Sequence, residues 1–330
     1  VRIVLLVGTL AELDSCHALY ANHLFADGHE VWIGMVNGLT GAGERILCPM
    51  GKIDGALEAF GPLPGKVEVR DAAAGVDLVW VLNYPHSVVQ EVAWQLLWQL
   101  NRQVPFVNDV EGIVMLNTKT GLPAVVPPEH LPRTLISNSF SELWEEYQTD
   151  PDRTWLIKPP GGDAGADVYL LSPGSSNNRV LLQSMTGNTA IDSLLTKGGL
   201  NGFGNRYCVL QEHIPHTEEK RVLLAGGRPL AQQIHYLAPD EHRGNTAHRA
   251  RCEDTTLTPD EEQLCRDVGQ RLLRHGIRFA GIDLAYPHVF EFNMVNPGGL
   301  DERLAFGMPD RTPHVLDAVL EALLDTAAYS

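Results

Sequence analysis

Apolar positions in the first third of the chain fall into short continuous runs separated by amphipathic stretches. The run Val1 to Gly8 reads as a strand buried on both faces, and Glu30 to Met35 as a second. Between them, Asp14 to Asp27 carries a helical period that Gly28 ends. Asp77 to Asn83 and Pro105 to Asn108 read as further strands, with a helical stretch from Ser87 to Asn101 between them. Strand and helix alternate, so roughly the first 110 residues predict a βαβ layer with a parallel sheet. The glycines of Gly38 to Gly43 follow the second strand and lack the Gly-x-Gly-x-x-Gly spacing, which argues against a dinucleotide loop.

From about Thr118 the texture changes. Proline-rich Pro123 to Pro132 leads into a helical stretch, Ser139 to Gln148. Thr154 to Leu170 then reads as two strands around the glycine-containing loop Gly161-Gly162-Asp163-Ala164-Gly165-Ala166-Asp167, a hairpin whose tip can fold over a ligand. Pro239 to Arg251 is polar and carries His242, Arg243, Asn245, His248 and Arg249. A long helix, Pro259 to His275, stops at Gly276. There is no internal repeat and no low-complexity tract.

The segment Gly281 to Gly299 is the most informative. It predicts two strands joined by a Tyr286-Pro287-His288 turn. Side chains two apart share a face. Phe290, Phe292 and Met294 are expected in a core, while Glu291 and Asn293 point the other way beside Asp283. Three oxygen-bearing side chains on one face outline a magnesium site, because Mg2+ takes hard oxygen ligands and completes its shell with water and phosphate.

Composition narrows the class. The chain has 330 residues, 44% hydrophobic and 20% charged, enough for two or three lobes with real cores and unlike a disordered or fibrous protein. With 25 basic and 41 acidic residues the formal charge is −16, which argues against a protein that coats nucleic acid or anionic membrane. The five cysteines, Cys16, Cys48, Cys208, Cys252 and Cys265, are scattered without a Cys-x-x-Cys pair, so neither a disulfide framework nor a structural zinc site is expected. His23, His29, His86 and His213 form no metal spacing with a carboxylate, and a zinc hydrolase is not supported. The apolar start is too short for a signal peptide, and no run approaches the ~20 residues that span a bilayer. The cytoplasm is the expected location.

In order, the chain offers Lys119, Lys158 with its glycine loop, Gln211-Glu212-His213-Ile214, Glu219-Lys220-Arg221, Arg243-Gly244-Asn245, Asp283, and Glu291 with Asn293. This order resembles the ATP-grasp superfamily and, within it, the bacterial glutathione synthetases. Asn205 to Cys208, Lys220 to Leu223, Leu257-Thr258 and Gly281-Ile282-Asp283 are also similar to that family. The resemblance covers most of the chain and is strongest from about residue 117 to 300.

It implies an ATP-grasp fold of mixed α/β and α+β character: an N-terminal α/β domain at 1–116, a lid subdomain at 117–208 and a catalytic subdomain at 209–330. It also implies that Lys119 and Lys158 contact ATP phosphates and that Gly161, Gly162 and Gly165 cover them. Gln211, Glu212, His213 and Ile214 would offer backbone groups to the adenine, and Glu219 would meet the ribose. Asp283, Glu291 and Asn293 would hold Mg2+, with Mn2+ as a substitute. Arg221, Arg243 and Asn245 would act on the transferring phosphoryl group and the substrate, and Asn296-Pro297-Gly298-Gly299 would lie at the reacting carboxylate.

The implied reaction joins a carboxylate, activated as an acyl phosphate, to an amine. Its partners would be a small amino-acid or peptide substrate and other copies of the chain, as a dimer or tetramer. Two further readings are capture of the acyl phosphate by the substrate's own nitrogen, closing a ring, and a regulatory protein that binds nucleotide without turnover. Substrate identity is where the sequence departs from the family. Asn296-Pro297-Gly298 replaces Ser-Pro-Thr, His248-Arg249 replaces a Gly-Gly pair, Ala164 replaces a glycine, and the stretch before Lys220 is shorter.

Overall fold

The computed structural model describes residues 1–161, 167–188, 203–237 and 249–327. Three sheets organise them. In the first, β1 (Arg2–Val7) pairs in parallel with β2 (Glu30–Met35) on one side and β6 (Leu78–Val81) on the other. The antiparallel strands β3 (Thr40–Ala42), β4 (Arg45–Lys52) and β5 (Glu68–Asp71) extend the β2 edge. Ile3 to Val7 are fully buried, as an apolar run covered on both faces should be.

Helix α1 (Ser15–Ala26) starts at Asp14, whose carboxylate caps the His17 N–H at 2.8 Å. Its Tyr20 stacks on Trp80 of β6, with ring centroids 5.1 Å apart. Helix α2 (Gln90–Asn101) begins three residues later than the periodicity predicts. The expected strand Pro105 to Asn108 reduces to two isolated bridges, Val79 to Phe106 in parallel and Asn108 to Ile277 antiparallel.

Short helices α3 (Val110–Leu116) and α4 (Leu122–Val125) lead to the second sheet, order β7-β10-β8-β9. Its strands are β7 (Thr134–Ser139), β8 (Trp155–Lys158), β9 (Tyr169–Leu171) and β10 (Phe203–Glu212), all antiparallel to their neighbours. Helices α5 (Phe140–Gln148) and α6 (Asn178–Thr186) cover one face. Leu143, Trp155, Ile157, Leu182 and Leu210 make a core belonging to this unit alone.

The third sheet has the order β13-β12-β11-β14-β15 and is antiparallel throughout. Its strands are β11 (Glu218–Ala225), β12 (Arg228–Leu237), β13 (Arg249–Asp254), β14 (Phe279–Ala285) and β15 (His288–Asn293). Helix α7 (Pro259–Leu273) packs on it. Thr258 and Glu261 form a reciprocal capping box at its start, and Gly276, at φ +71°, follows its end. Helices α8 (Leu300–Ala305) and α9 (Thr312–Ala327) complete the described chain. No helix among the described residues is long and apolar enough to cross a membrane.

Two apolar clusters run continuously from the first sheet into the third, one through Val4 and Ile282, the other through Trp80 and Phe279. The first and third sheets therefore share their cores, and the second stands apart with its own. Asn108 is the polar joint of the shared block. Its amide donates to the carbonyls of Phe279 (2.6 Å) and Met294 (2.8 Å), and its oxygen accepts from the N–H of Arg278 (2.8 Å) and of Phe279 (2.9 Å). All four bonds are made by a side chain 3% exposed. Asn108→Ala strands several buried backbone groups at ~1–3 kcal/mol each, so a loss of about 3 kcal/mol or more in urea unfolding is expected. A loss below ~1 kcal/mol would show that the joint is dispensable.

Candidate active site

One face of the third sheet gathers the polar side chains. Register sets Gln233, Arg221, Asp283 and Glu291 opposite one another across β12, β11, β14 and β15, and Gly281 opposite Asn293. Arg221 grips Asp283 with two guanidinium N–H groups, Nε to Oδ1 and a terminal nitrogen to Oδ2 at 2.8 Å. Its other terminal nitrogen donates to the Pro297 carbonyl at 2.6 Å. Burial alone would disfavour the charged guanidinium, but the Asp283 carboxylate outweighs it and the Arg221 pKa is raised. Lys220 points to the opposite face and pairs with Glu261 at 2.7 Å.

The alternation is not perfect. The ladder slips between Asp283 and Leu284, so Leu284 faces Val289 and a bulge absorbs Phe290. Val289 fills the core in its place. Phe290 is a correction to the sequence expectation: it is only partly buried and stacks on His216, with centroids 5.0 Å apart. Phe292 and Met294 are buried as expected. Glu291 and Asn293 remain on the polar side of β15, and the buried Asn293 amide nitrogen has no hydrogen-bond partner.

Two lysines approach this face from other parts of the chain. Lys119, at the exit of α3, pairs with Glu291 at 3.0 Å, and its N–H donates to the Pro160 carbonyl. Lys158 ends β8 and is 6% exposed, with its ammonium donating to Gln211 Oε1 at 2.8 Å. Burial pushes the Lys158 pKa down to about 8; the Lys119 charge pushes the same way and Glu291 opposes it. Glu291, Lys119 and Lys158 are thus drawn into one electrostatic cluster, with Asp283 the register partner of Glu291.

The loop Asn296-Pro297-Gly298-Gly299 folds back over the sheet. A Cβ at Gly281 would lie 3.0 Å from Pro297 Cβ, so the absence of a side chain there lets the loop lie close without being pushed outward. Gly298 and Gly299 have φ +66° and +90°, and Asn296 itself is left-handed at +46°. The Asn296 amide nitrogen reaches Asp14 Oδ2 at 3.4 Å, while its buried Oδ1 has no partner. Ser15 at the start of α1 bonds Asp301 at the start of α8.

Gln211 and Glu212 end β10, and His213 and Ile214 lead out of it. The Gln211 side chain, not only its backbone, is engaged, bridging Lys158 and Thr134. Glu212 N–H donates to Arg133 O and His213 N–H to Thr154 O, and the Glu212 carboxylate pairs with Arg153. The Ile214 amide is the linker N–H left without a bond among the described residues, while the Ile214 carbonyl contacts His216 Nδ1 at 2.7 Å. Glu219 is 6% exposed, 3.7 Å from His216.

A cleft of about 490 Å3 opens between the N-terminal lobe and this face. Lys119, Gly161, Glu291 and Asn293 line it, with Tyr84, Gln90 and Trp94 forming the opposite wall. Its size suits a small-molecule site. Gly162, Ala164, Gly165, Arg243, Asn245 and His248 lie outside the described residues; Arg249 opens β13. Sequence reasoning missed Asp14, Gln233, Tyr84 and Trp94. Gln233 had a weak signal in the alternation of β12; the others become visible only when the lobes are brought together.

Two antiparallel sheets, with Lys119 and the buried Lys158 drawn towards a carboxylate-bearing hairpin, are the arrangement of the ATP-grasp class. Residues 122–305, more than half the chain, match the family described as prokaryotic glutathione synthetase, ATP-grasp domain, and the chain belongs to that family. It is an ATP-dependent carboxylate–amine ligase. The glutathione synthetase of Synechococcus elongatus is 26% identical over 338 aligned positions, covering 97% of this chain and 99% of that one. That of Agrobacterium fabrum is 30% identical over 194 positions, covering 57% and 54%. Among solved structures, the D-cycloserine synthetase DcsG superposes with a TM-score of 0.64 at 14% identity, over 98% of this chain and 100% of that one. D-alanyl-alanine synthetase A of Vibrio cholerae gives 0.54 at 13%, over 98% of each. At such identities the structures establish the fold alone.

Proposed function

We propose that the cleft binds ATP with Mg2+, activates a small amino-acid-derived carboxylate as its acyl phosphate, and joins it to an amine. The observation that carries this reading is the convergence of Lys119, Lys158, Asp283 and Glu291 from separate elements into one cluster. The carboxylate oxygen attacks the γ-phosphorus of ATP and ADP leaves; the amine nitrogen then attacks the acyl carbon, phosphate leaves, and a proton is lost from nitrogen.

The donor set fits magnesium. Asp283, Glu291 and the Asn293 side-chain carbonyl are hard oxygen donors on one face, and the buried Asn293 amide nitrogen has no hydrogen-bond partner. A bound Mg2+ would supply counter-charge to the phosphates. The protein's own groups do the rest. Lys119 and Lys158 neutralise phosphate oxygens, as compact ammonium charges do well. Gly161, with Gly162 and Gly165, would close over the phosphates, and water exclusion protects an acyl phosphate from hydrolysis. Arg221, with Arg243 and Asn245, would hold the developing charge. The Ile214 N–H is the adenine-facing donor, and Glu219 the ribose partner.

Substrate is assigned to the Asn296-Pro297-Gly298-Gly299 loop with His248 and Arg249. Buried Asn296 Oδ1, unpartnered, supports a polar ligand group there, since a lost partner in such a place is costly. Because these positions depart from the glutathione synthetases, γ-glutamylcysteine with glycine is expected to be a poor pair. The test is ADP release with a panel of amino acids and dipeptides, followed by product mass. A specificity constant for glutathione formation at or above ~10⁴ M⁻¹s⁻¹ would return the chain to glutathione synthesis. A product lighter than its acid by one water, with no amine added, would establish the ring-closing alternative. ADP formation with no acid would leave only nucleotide hydrolysis. Association into a dimer or tetramer is part of this reading, supported by exposed Val88, Val92 and Trp98 on the N-terminal lobe, and light scattering measures it.

A further inference from the structure

Beyond the nucleotide cluster, the same face of the third sheet carries a second group of ligating side chains. His235 on β12 and Cys252 on β13 are register partners, and Glu302 of α8 reaches over them. One ligand atom from each of the three lies within 4.8 Å of the other two. His235 is 1% exposed and Cys252 7%, and Cys252 is in no disulfide. His235 Nε2 is 3.1 Å from Glu302 Oε2, and the Gln233 amide donates to the same oxygen. His235 Nδ1 is buried with no hydrogen-bond partner. A buried imidazole satisfied on one side only is costly for the fold alone.

The group is held rigidly. Neighbouring Arg303, also 1% exposed, donates to Gln232 O at 2.6 Å, Asp254 Oδ1 at 2.7 Å and Pro309 O at 3.3 Å. These bonds clamp α8 onto β12 and β13 and fix Glu302 over its two partners.

We propose that His235, Cys252 and Glu302 bind a zinc ion, with a fourth position left to water. Imidazole, thiolate and carboxylate together suit Zn2+ and not Mg2+, which avoids sulfur. Zinc bonds of about 2.0–2.3 Å place tetrahedral ligands roughly 3.4–3.7 Å apart, so small side-chain movements close the set. Binding releases the thiol proton of Cys252, while His235 ligates as neutral imidazole and Glu302 as carboxylate. The ion would pin α8, and with it Gly298 and Gly299, to the edge of the sheet. The assignment does not depend on the ligase reading.

The full chain, loaded with zinc chloride and passed through a desalting column, is expected to retain about one zinc per chain by elemental mass spectrometry. Cobalt loading should give a near-ultraviolet thiolate-to-cobalt charge-transfer band. Cys252→Ser should abolish that band and weaken zinc binding at least ~10-fold, and Glu302→Gln should weaken it without removing the band. Glu291→Gln should retain both zinc and band. Circular dichroism checks folding of each variant, and the wild-type metal content and cobalt spectrum decide the question even if one variant fails to fold. Wild-type chain without zinc and without the band, or folded Cys252→Ser retaining wild-type zinc, would overturn the site.

Discussion

Glu291→Gln is expected to lower turnover at least ~10³-fold, since on the proposed assignment it removes a negative magnesium ligand, which costs several kcal/mol of transition-state stabilisation, and each ~1.4 kcal/mol is tenfold in rate. Folding should survive. The Glu291 side chain is 37% exposed and its pairing with Lys119 is a cleft-edge ion pair, which contributes little to stability. Asp283→Asn should be as inactive, but it also cuts into the buried pair with Arg221, whose side chains are 7% and 17% exposed. Breaking such a pair costs about 3–5 kcal/mol, so Glu291→Gln is the cleaner experiment. ADP production is measured at saturating ATP and magnesium beside a thermal melt. Turnover near wild type in the folded Glu291 variant would remove the metal assignment.

The second large effect concerns Lys158. Lys158→Ala is expected to weaken binding of a non-hydrolysable ATP analogue by roughly 10- to 150-fold, the equivalent of a charge-assisted contact of ~1.5–3 kcal/mol. Binding of the carboxylate substrate should change far less. A pH profile sharpens the test. In the free protein the lysine loses its proton near pH 8 because it is buried beside Lys119. A bound triphosphate favours the charged form and raises that pKa, so binding takes up a proton above pH 8. Affinity should therefore be highest below pH 8 and fall by up to about tenfold per pH unit above it, and the Ala variant should lose this dependence. Calorimetry at several pH values supplies both readings. Unchanged affinity, or an identical pH profile in the variant, would make Lys158 a structural residue held by Gln211.

Tyr84, Gln90 and Trp94 of the N-terminal lobe line the same cleft as Lys119, Glu291 and Asn293, so that lobe contributes directly to the space beside the nucleotide cluster.

Sequence alone determined the elements whose signal is local. The apolar run of β1, the bounds of β2 and the cap-to-glycine span of α7 need only periodicity and capping chemistry, and they lie where those rules put them. The alternation of the β14–β15 hairpin likewise put Glu291 and Asn293 on one face. Tertiary structure decided what depends on partners distant in sequence. The bulge that expels Phe290 and admits Val289 arises from pairing with β14, a slip that a period-two reading cannot contain. The Asn108 side chain finds its complete set of bonds on four backbone groups some 170 or more residues away, which no local pattern contains. Lys158 is buried and shifted because Gln211 and Lys119 arrive beside it from other elements. His235, Cys252 and Glu302 carry no recognisable spacing, since their proximity comes from a strand register and a helix clamped by Arg303. Local pattern fixes which face a side chain takes; only the packed chain determines what meets it there.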